Sequence, residues 1–355
     1  MLGKTGIGAY VAQAIPRLPK YLPGAEFTAF GGRIPGFRTV PVGAGIYSLA
    51  EQVVLPFKAA GRGLDIFFSP HYNAPLAMPA PLAVMVFDLI HLLFPGQLPR
   101  PRWLSLAYAR IQITLACARA RVVLTDSENT RRDLVRMLGV PARKIRVVPL
   151  AVEDSMRPVR NRARLAAFRR AHGLTGPYVL FVSNLKPHKN PEGAIRALAA
   201  MRAKDVRLVI VGRGTIGYEA GLRSLAARVG VGDRVRFAGK ITREELRWHY
   251  AGAAALAFPS FYEGFGLPPL EAFACGTPVV ASTAASVPEV VGNAALNVRP
   301  GDIRGLARAL DAVIARPALR RRLVGAGFRR VRRFSWDRAA ELTAEALADA
   351  AGGRG

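Results

Sequence analysis

The sequence predicts an α/β protein made of two doubly wound domains, and three observations carry that prediction. The chain has 355 residues, too many for one ordinary core and about right for two, since single domains mostly run to roughly 100–200 residues. Short β-rich runs alternate with helical segments, the pattern of a parallel sheet covered on both faces. Helix starts between the runs are well marked. Asn190-Pro191-Glu192 offers an N-cap, a proline at the first helical position and an acid in the first turn, and Thr242 with Glu245 spells a capping box.

In the first half, strands are expected at Glu26 to Phe30, Asp65 to Ser69, Leu82 to Phe87, Val122 to Thr125 and Ile145 to Val148, with Ser127 capping the helix after the fourth. In the second half they are expected at Tyr178 to Ser183, Arg207 to Val211, Val235 to Ala238, Ala254 to Phe258 and Pro278 to Ala281. The join falls between about Pro149 and Gly176, where an arginine cluster and Pro158 interrupt the alternation. This places a first domain over residues 1–160, a second over 161–334 and a closing segment over 335–355, whose tail Ala351 to Gly355 is expected to be disordered.

Composition narrows the class. Hydrophobic residues make up 51% of the chain and charged residues 21%, which fits a packed soluble protein. The longest apolar run, Pro81 to Phe94, is broken by Asp88 and His91 and falls short of the roughly 20 residues a spanning helix needs. The N-terminus lacks the order of a secretory signal, so a cytoplasmic location is expected. Cys117 and Cys275 are too few for a disulfide framework or a four-cysteine zinc site, and buried thiols are the simpler reading.

The formal net charge of +27 is unusual. Arg157, Arg160, Arg162, Arg164, Arg169 and Arg170 form one acid-free cluster, and a second runs from Arg316 to Arg333. Neither is interleaved with base-stacking aromatics and no nucleic-acid motif accompanies them, so nucleic acid is not expected as a partner. Solvated helix faces explain the clusters first, and an anionic lipid surface second. Leu92, Leu93, Phe94, Leu98 and Trp103, beside Arg100 and Arg102, offer one place for such a contact, and core packing explains their apolar members equally well.

The most informative stretch runs from Phe258 to Glu271: a strand end, a turn containing Gly264 and Gly266, and a helix started by Pro268 and Pro269 near Leu267. Glycines let backbone N–H groups approach an anion closely, and the helix N-terminus adds its positive end. Glu271 is expected in the first helical turn, where a carboxylate accepts two hydrogen bonds from a ribose diol. Glu263 precedes the turn and faces whatever the phosphate carries. Taken singly, Glu271 is explained as a dipole partner and the glycines as a turn. Their combination is more specific.

Here the chain resembles glycosyltransferase family 4, the group 1 glycosyltransferases. Two glutamates separated by seven residues, Glu263 and Glu271, lie in an EGFGLP-like segment, followed by the small residues Ala272 to Val280 and by Ser286-Val287-Pro288-Glu289. The resemblance implies a GT-B fold, two Rossmann-like domains facing across a cleft. It implies that Glu271 binds the donor ribose, that Glu263 contacts the transferred sugar, and that Gly264, Phe265, Gly266 and Leu267 bind phosphate or sugar through their backbone. A second matching block, Phe181 to Asn190, contains Lys189, which in the family stabilises the departing diphosphate. Asn184 stands where an arginine is common, with Lys186 or Arg213 available to complete the clamp. Gly212-Arg213-Gly214 resembles the next donor loop.

The first half matches in fewer places. Thr5-Gly6-Ile7-Gly8-Ala9-Tyr10 resembles the glycine-rich acceptor loop, with Ala9 where arginine is usual, and the strand that normally precedes it is absent from this sequence. Ser69 to Asn73 also looks like a family segment. Phe87-Asp88 stands where the family has a His-Asp pair, so Asp88 is a candidate for substrate binding or for capping a turn, and His91 substitutes for the histidine only if the backbone bends. Asp126-Ser127-Glu128 resembles the element at the cleft mouth. The helix near Ser335 resembles the segment that crosses back to the first domain.

No Asp-x-Asp motif occurs in a metal-binding context and the histidines do not cluster, so no metal and no cofactor are expected. The resemblance implies a retaining hexosyl transfer, with mannose from its GDP derivative one candidate. Its partners would be a nucleotide-diphosphate sugar and a glycan or lipid-linked acceptor in cell-envelope or exopolysaccharide synthesis. A non-catalytic binding or scaffolding protein of the same fold is the alternative, motivated by Phe87 and the absent strand.

Overall fold

The computed structural model describes residues 6–43, 49–97 and 101–352. Its strands are β1 (Thr28–Phe30), β2 (Arg38–Val40), β3 (Phe67–Ser69), β4 (Leu82–Val86), β5 (Ala120–Thr125) and β6 (Ile145–Val147), then β7 (Tyr178–Val182), β8 (Arg207–Val211), β9 (Val235–Gly239), β10 (Ala255–Phe258), β11 (Val279–Ser282) and β12 (Leu296–Val298). Every pairing among them is parallel.

The chain divides into two compact units, one formed by Met1–Leu150 with Ser335–Gly355 and the other by Ala151–Phe334. The division after Leu150 falls at the early end of the interval from Pro149 to Gly176, ahead of the expected domain limit at residue 160. The segment after Leu150 is held by the second unit, because Arg247 donates from Nε to the Arg157 carbonyl (2.8 Å) and Arg243 pairs with Glu153 (3.3 Å). Neither tie is visible from local composition.

In the first unit a four-stranded sheet runs β3-β4-β5-β6, and β1 pairs with β2 alone. β4 is buried along its whole length, as a central parallel strand covered on both faces must be. Its core gathers Leu82, Val84, Val86, Ile113, Val123 and Leu134. The closing helix, Trp336–Ala351, packs on this unit through Tyr10, whose hydroxyl shares a 2.6 Å hydrogen bond with Thr343. The helix runs through Ala351, where disorder was expected, and 353–355 lie outside the described residues.

In the second unit the sheet order is β12-β11-β10-β7-β8-β9. Strand order therefore reverses between β7 and β10, the place where open parallel sheets leave a crevice beyond their carboxyl ends. Val179, Phe181, Leu208, Ile210, Ala255 and Ala257 form its core with the covering helices. The capping box of Thr242 with Glu245 starts the helix Arg243–Gly252, and Asn190 caps Pro191–Ala200 from a left-handed backbone (φ 57°). No helix among the described residues is long and apolar enough to cross a membrane.

Candidate functional site

The second unit assembles its polar groups at the strand reversal. The turn Pro187–Lys189 follows β7, and the stretch Pro259–Gly266 follows β10. Two hydrogen bonds stitch them together: the Phe261 N–H donates to the His188 carbonyl (2.8 Å), and Asn190 Nδ2 donates to the Pro259 carbonyl (3.1 Å). The same Asn190 side chain accepts from Gly193 N–H at 2.9 Å, so one residue fixes both a helix start and the neighbouring loop.

This stitching delivers Lys189 to Glu263. Lys189 Nζ donates to Glu263 Oε2, and Ser260 Oγ donates to Oε1 at 2.7 Å. Glu263 is 5% exposed, so its charge is tolerable only because a cation and a hydroxyl share it. Ser286 Oγ donates to the carbonyls of Glu263 (2.9 Å) and Phe265 (2.8 Å), and Ser282 Oγ to that of Ser260 (2.6 Å). Neighbouring His188 is kept neutral. Burial first, then Lys189 and Lys186, push it down to about 3.

Gly266 adopts φ 105°, a backbone only glycine holds without strain, and turns the chain into the helix Leu267–Ala274. Because that helix begins at Leu267, Glu271 falls in its second turn, correcting the first-turn position expected from sequence. It is not a dipole partner. Arg243 Nη1 donates to Oε1 at 2.7 Å and Tyr250 Oη to Oε2 at 2.9 Å, both from the preceding helix. Burial opposes the Arg243 charge, yet Glu271 and then Glu153 outweigh it and its pKa is raised. Tyr250 is fully buried, and burial followed by the Glu271 charge drives its hydroxyl well above 10.0, so it stays a donor.

On the other side of β7, Gly212 closes β8 at φ 132°, and a Cβ there would fall 1.7 Å from the Ser183 carbonyl oxygen. Leu185 N–H donates to the Arg213 carbonyl at 2.9 Å, which lines the two loops up. Asn184 and Arg213 are exposed, and the Arg213 Nε would meet a Cβ built on Gly239 at 3.2 Å, placing the guanidinium at the end of β9.

In the first unit the sequence expectations fare differently. Gly6 and Gly8 lie in a helix, Gly6–Gln13, rather than in an open loop, and Thr5 lies outside the described residues. Tyr10 is fully buried, its ring edge-on to Phe68 (6.4 Å) and Phe87 (5.8 Å). Phe87, at the position of the family's histidine, is thus a packing residue. Asp88 Oδ1 accepts from the Ile90 N–H at 3.0 Å, a turn cap. Ser127 is buried and caps Glu128–Leu138, accepting from Thr130 N–H at 3.1 Å.

Arg243 and Tyr250 are absent from the sequence expectations, their local hint being polar positions on the helix that the capping box announces. Ser260, inside the stretch Phe258 to Glu271, and Ser286, in the matching element Ser286 to Glu289, had no role of their own there. Among the described residues no group of three His, Cys, Asp or Glu stands ready to hold a metal ion.

Comparisons with known proteins bear on the family and the fold. The family profile "Glycosyl transferases group 1" matches residues 166–330, and "Glycosyltransferase Family 4" matches 11–155. The O-antigen chain mannosyltransferase B of Escherichia coli is 31% identical over 229 residues, covering 64% of this chain and 60% of that protein. A D-inositol 3-phosphate glycosyltransferase of Acidothermus cellulolyticus is 38% identical over 239 residues, covering 63% of this chain and 52% of that one. The chain thus spans between about half and 60% of these relatives' length. Anabaena HepE, solved in complex with UDP and glucose, superposes with a TM-score of 0.76 at 20% identity over 98% of both chains, which shows the two-domain α/β fold.

Proposed function

Since the chain belongs to the group 1 glycosyltransferases, we propose that it moves a hexose from a nucleotide-diphosphate sugar to a glycan or lipid-linked acceptor, without a metal and with retention of anomeric configuration. The observation that carries this reading is the meeting of Lys189 and Glu263 where the strand order of the second sheet reverses.

In this reading Glu271 accepts hydrogen bonds from the donor ribose, its two oxygens already oriented by Arg243 and Tyr250. Backbone N–H groups from Gly264 to Leu267 meet the phosphates at the start of the helix Leu267–Ala274. Glu263 turns towards the hexose, and Lys189 is released to the diphosphate. When the bond from the anomeric carbon to the phosphate oxygen breaks, charge grows on that oxygen and Lys189 stabilises it. The acceptor hydroxyl bonds to the same face of the sugar and passes its proton to the departing diphosphate, so no separate general base is required.

Mannose from GDP-mannose is the first donor to try, supported by the Escherichia coli relative's name. The UDP sugars come next, supported by the HepE complex. A thermal-shift panel of UDP, GDP and ADP sugars tests donor binding, because a ligand bound only by the folded state raises its Tm. Donor hydrolysis or transfer, with Glu263→Ala as control, tests turnover. Absence of any shift across the panel would sink the reading. Binding without turnover would favour a scaffolding protein, the reading supported by Phe87 in its ring cluster.

A further inference from the structure

Glu153 stands near the start of the second unit, on the segment that follows β6. A tight turn fixes its backbone: the Met156 N–H donates to the Glu153 carbonyl at 2.9 Å, and Met156 is buried. The helix Arg243–Gly252 grips the same segment further along, Arg247 donating from Nε to the Arg157 carbonyl (2.8 Å) and from Nη2 to that of Pro158 (3.2 Å). With the backbone so held, the Glu153 carboxylate is not needed as an anchor. It faces Arg243, one turn earlier on that helix, with 3.3 Å between its Oε1 and Arg243 Nη2.

Arg243 serves two carboxylates. Its Nη1 donates to Glu271 Oε1 at 2.7 Å, and its Nε is buried with no hydrogen-bond partner among the described residues, so the two acids together set the plane of the guanidinium. Two turns on along the same helix face, Tyr250 Oη donates to Glu271 Oε2 at 2.9 Å. Among the described residues each oxygen of Glu271 thus has one side-chain donor. A carboxylate offers about four acceptor sites, so one per oxygen remains, which is what a ribose diol uses.

The Glu153 carboxylate acts on those sites in two ways that share a sign. A guanidinium pinned at both ends keeps Glu271 aimed, whereas one pinned at a single end swings about its partner. The second carboxylate also takes a share of the cation, which leaves Glu271 the stronger acceptor. We propose that Glu153 is a positioning residue for the donor, acting through Arg243 to hold Glu271 ready for the ribose hydroxyls, which rests on the donor reading of Glu271 given above. Its side chain borders an open hollow of about 490 Å³ lined also by Val152, Met156, Ala274 and Phe328. Truncating it therefore opens no sealed cavity, and the variant is expected to fold.

Calorimetric affinities for GDP, UDP and ADP, each beside its 2′,3′-dideoxy form, test this without turnover. The native chain is expected to bind the ribose form of its preferred nucleotide at least about tenfold more tightly, since hydrogen bonds to a charged group are at stake. Glu153→Ala should cut that ratio several-fold and leave the dideoxy affinity unchanged, and in a Glu271→Gln background it should change nothing further. Glu153→Gln, which keeps the shape of the side chain, should move the ratio the same way and replaces the alanine variant should that misfold. Asp154→Ala, at an exposed acid one position along, should leave the ratio native. In steady-state transfer the Glu153 variants should raise the donor KM several-fold at unchanged kcat, a split that lost stability alone does not produce. A native chain that binds none of the three nucleotides, or binds ribose and dideoxy forms alike, overturns the ribose role of Glu271 and that of Glu153 with it. If the native chain discriminates and the Glu153 variants discriminate equally, or if Asp154→Ala matches them, the role of Glu153 alone falls.

Discussion

Lys189 and Glu263, 74 positions apart in sequence, are joined by an ion pair whose carboxylate is nearly excluded from water. Removing the cation leaves a buried charge with one hydroxyl for company, a loss of about 3 kcal/mol in stability. Lys189→Ala is therefore expected to unfold at lower urea and to slow transfer by about 100-fold or more, whereas Lys186→Ala, at an exposed position, should change stability little. Equilibrium denaturation beside a single-turnover assay checks both. Equal behaviour of the two variants would dissolve the role given to Lys189.

Tyr250 holds one oxygen of Glu271 and Arg243 the other. Tyr250→Phe removes one hydrogen bond to a charged group without emptying the cavity, costing roughly 1.5–3 kcal/mol. With Glu271 less firmly aimed, the donor KM should rise several-fold while kcat stays close to native. Steady-state kinetics at saturating acceptor separates the two constants, and a fall in kcat alone would argue against a donor-binding role for Glu271.

Gly212 and Gly221 make a matched pair of tests. Gly212→Ala drives a Cβ into the Ser183 carbonyl at a φ of 132°, and about 3 kcal/mol or more should be lost as the two loops part. Gly221 lies in the helix Ile216–Arg228 with nothing within 4 Å of its would-be Cβ, so Gly221→Ala should stabilise by about 0.5–1 kcal/mol. Thermal denaturation of both variants provides the comparison, and the Gly212 variant should also lose the donor-induced rise in Tm.

Acid stability should carry the mark of His249, which is 1% exposed and edge-on to Phe168. Burial first, then His172 and Arg236, lower it from 6.5 to about 4. The folded state therefore binds fewer protons than the unfolded chain. Its contribution is complete above pH 6.5 and erodes as pH falls towards 4. His249→Phe is expected to flatten that limb by about 1.4 kcal/mol per pH unit. Unfolding free energies across this window test it, and an unchanged slope would mean His249 does not titrate there.

Much of the second unit was legible in sequence because its strands are long apolar runs bounded by capping signals, as at Tyr178–Val182 and Arg207–Val211. The strands that escaped, Arg38–Val40 and Leu296–Val298, are three residues long and partly exposed, too short to show a period. Glu263 and Glu271 were singled out from the glycine turn and helix start, and Lys189 through the resemblance. What holds them was not, since Arg243, Tyr250 and Ser286 act across 21 to 28 positions and one sequence records no pairing. In the first unit Gly6 and Gly8 read as a loop, and the helix won because Ile7, Ala9 and Tyr10 gain a packed side.

The first unit is assembled from segments on either side of the second in sequence, with Tyr10 bonded to Thr343 across 333 positions. During synthesis the intervening 151–334 emerges complete and can fold while the earlier portion still waits for its last helix. A chain cut back before Ser335 would keep the second unit whole and leave the first without the cover that Trp336–Ala351 provides. Limited proteolysis of that shortened chain should therefore spare residues 151–334 and cut the first unit.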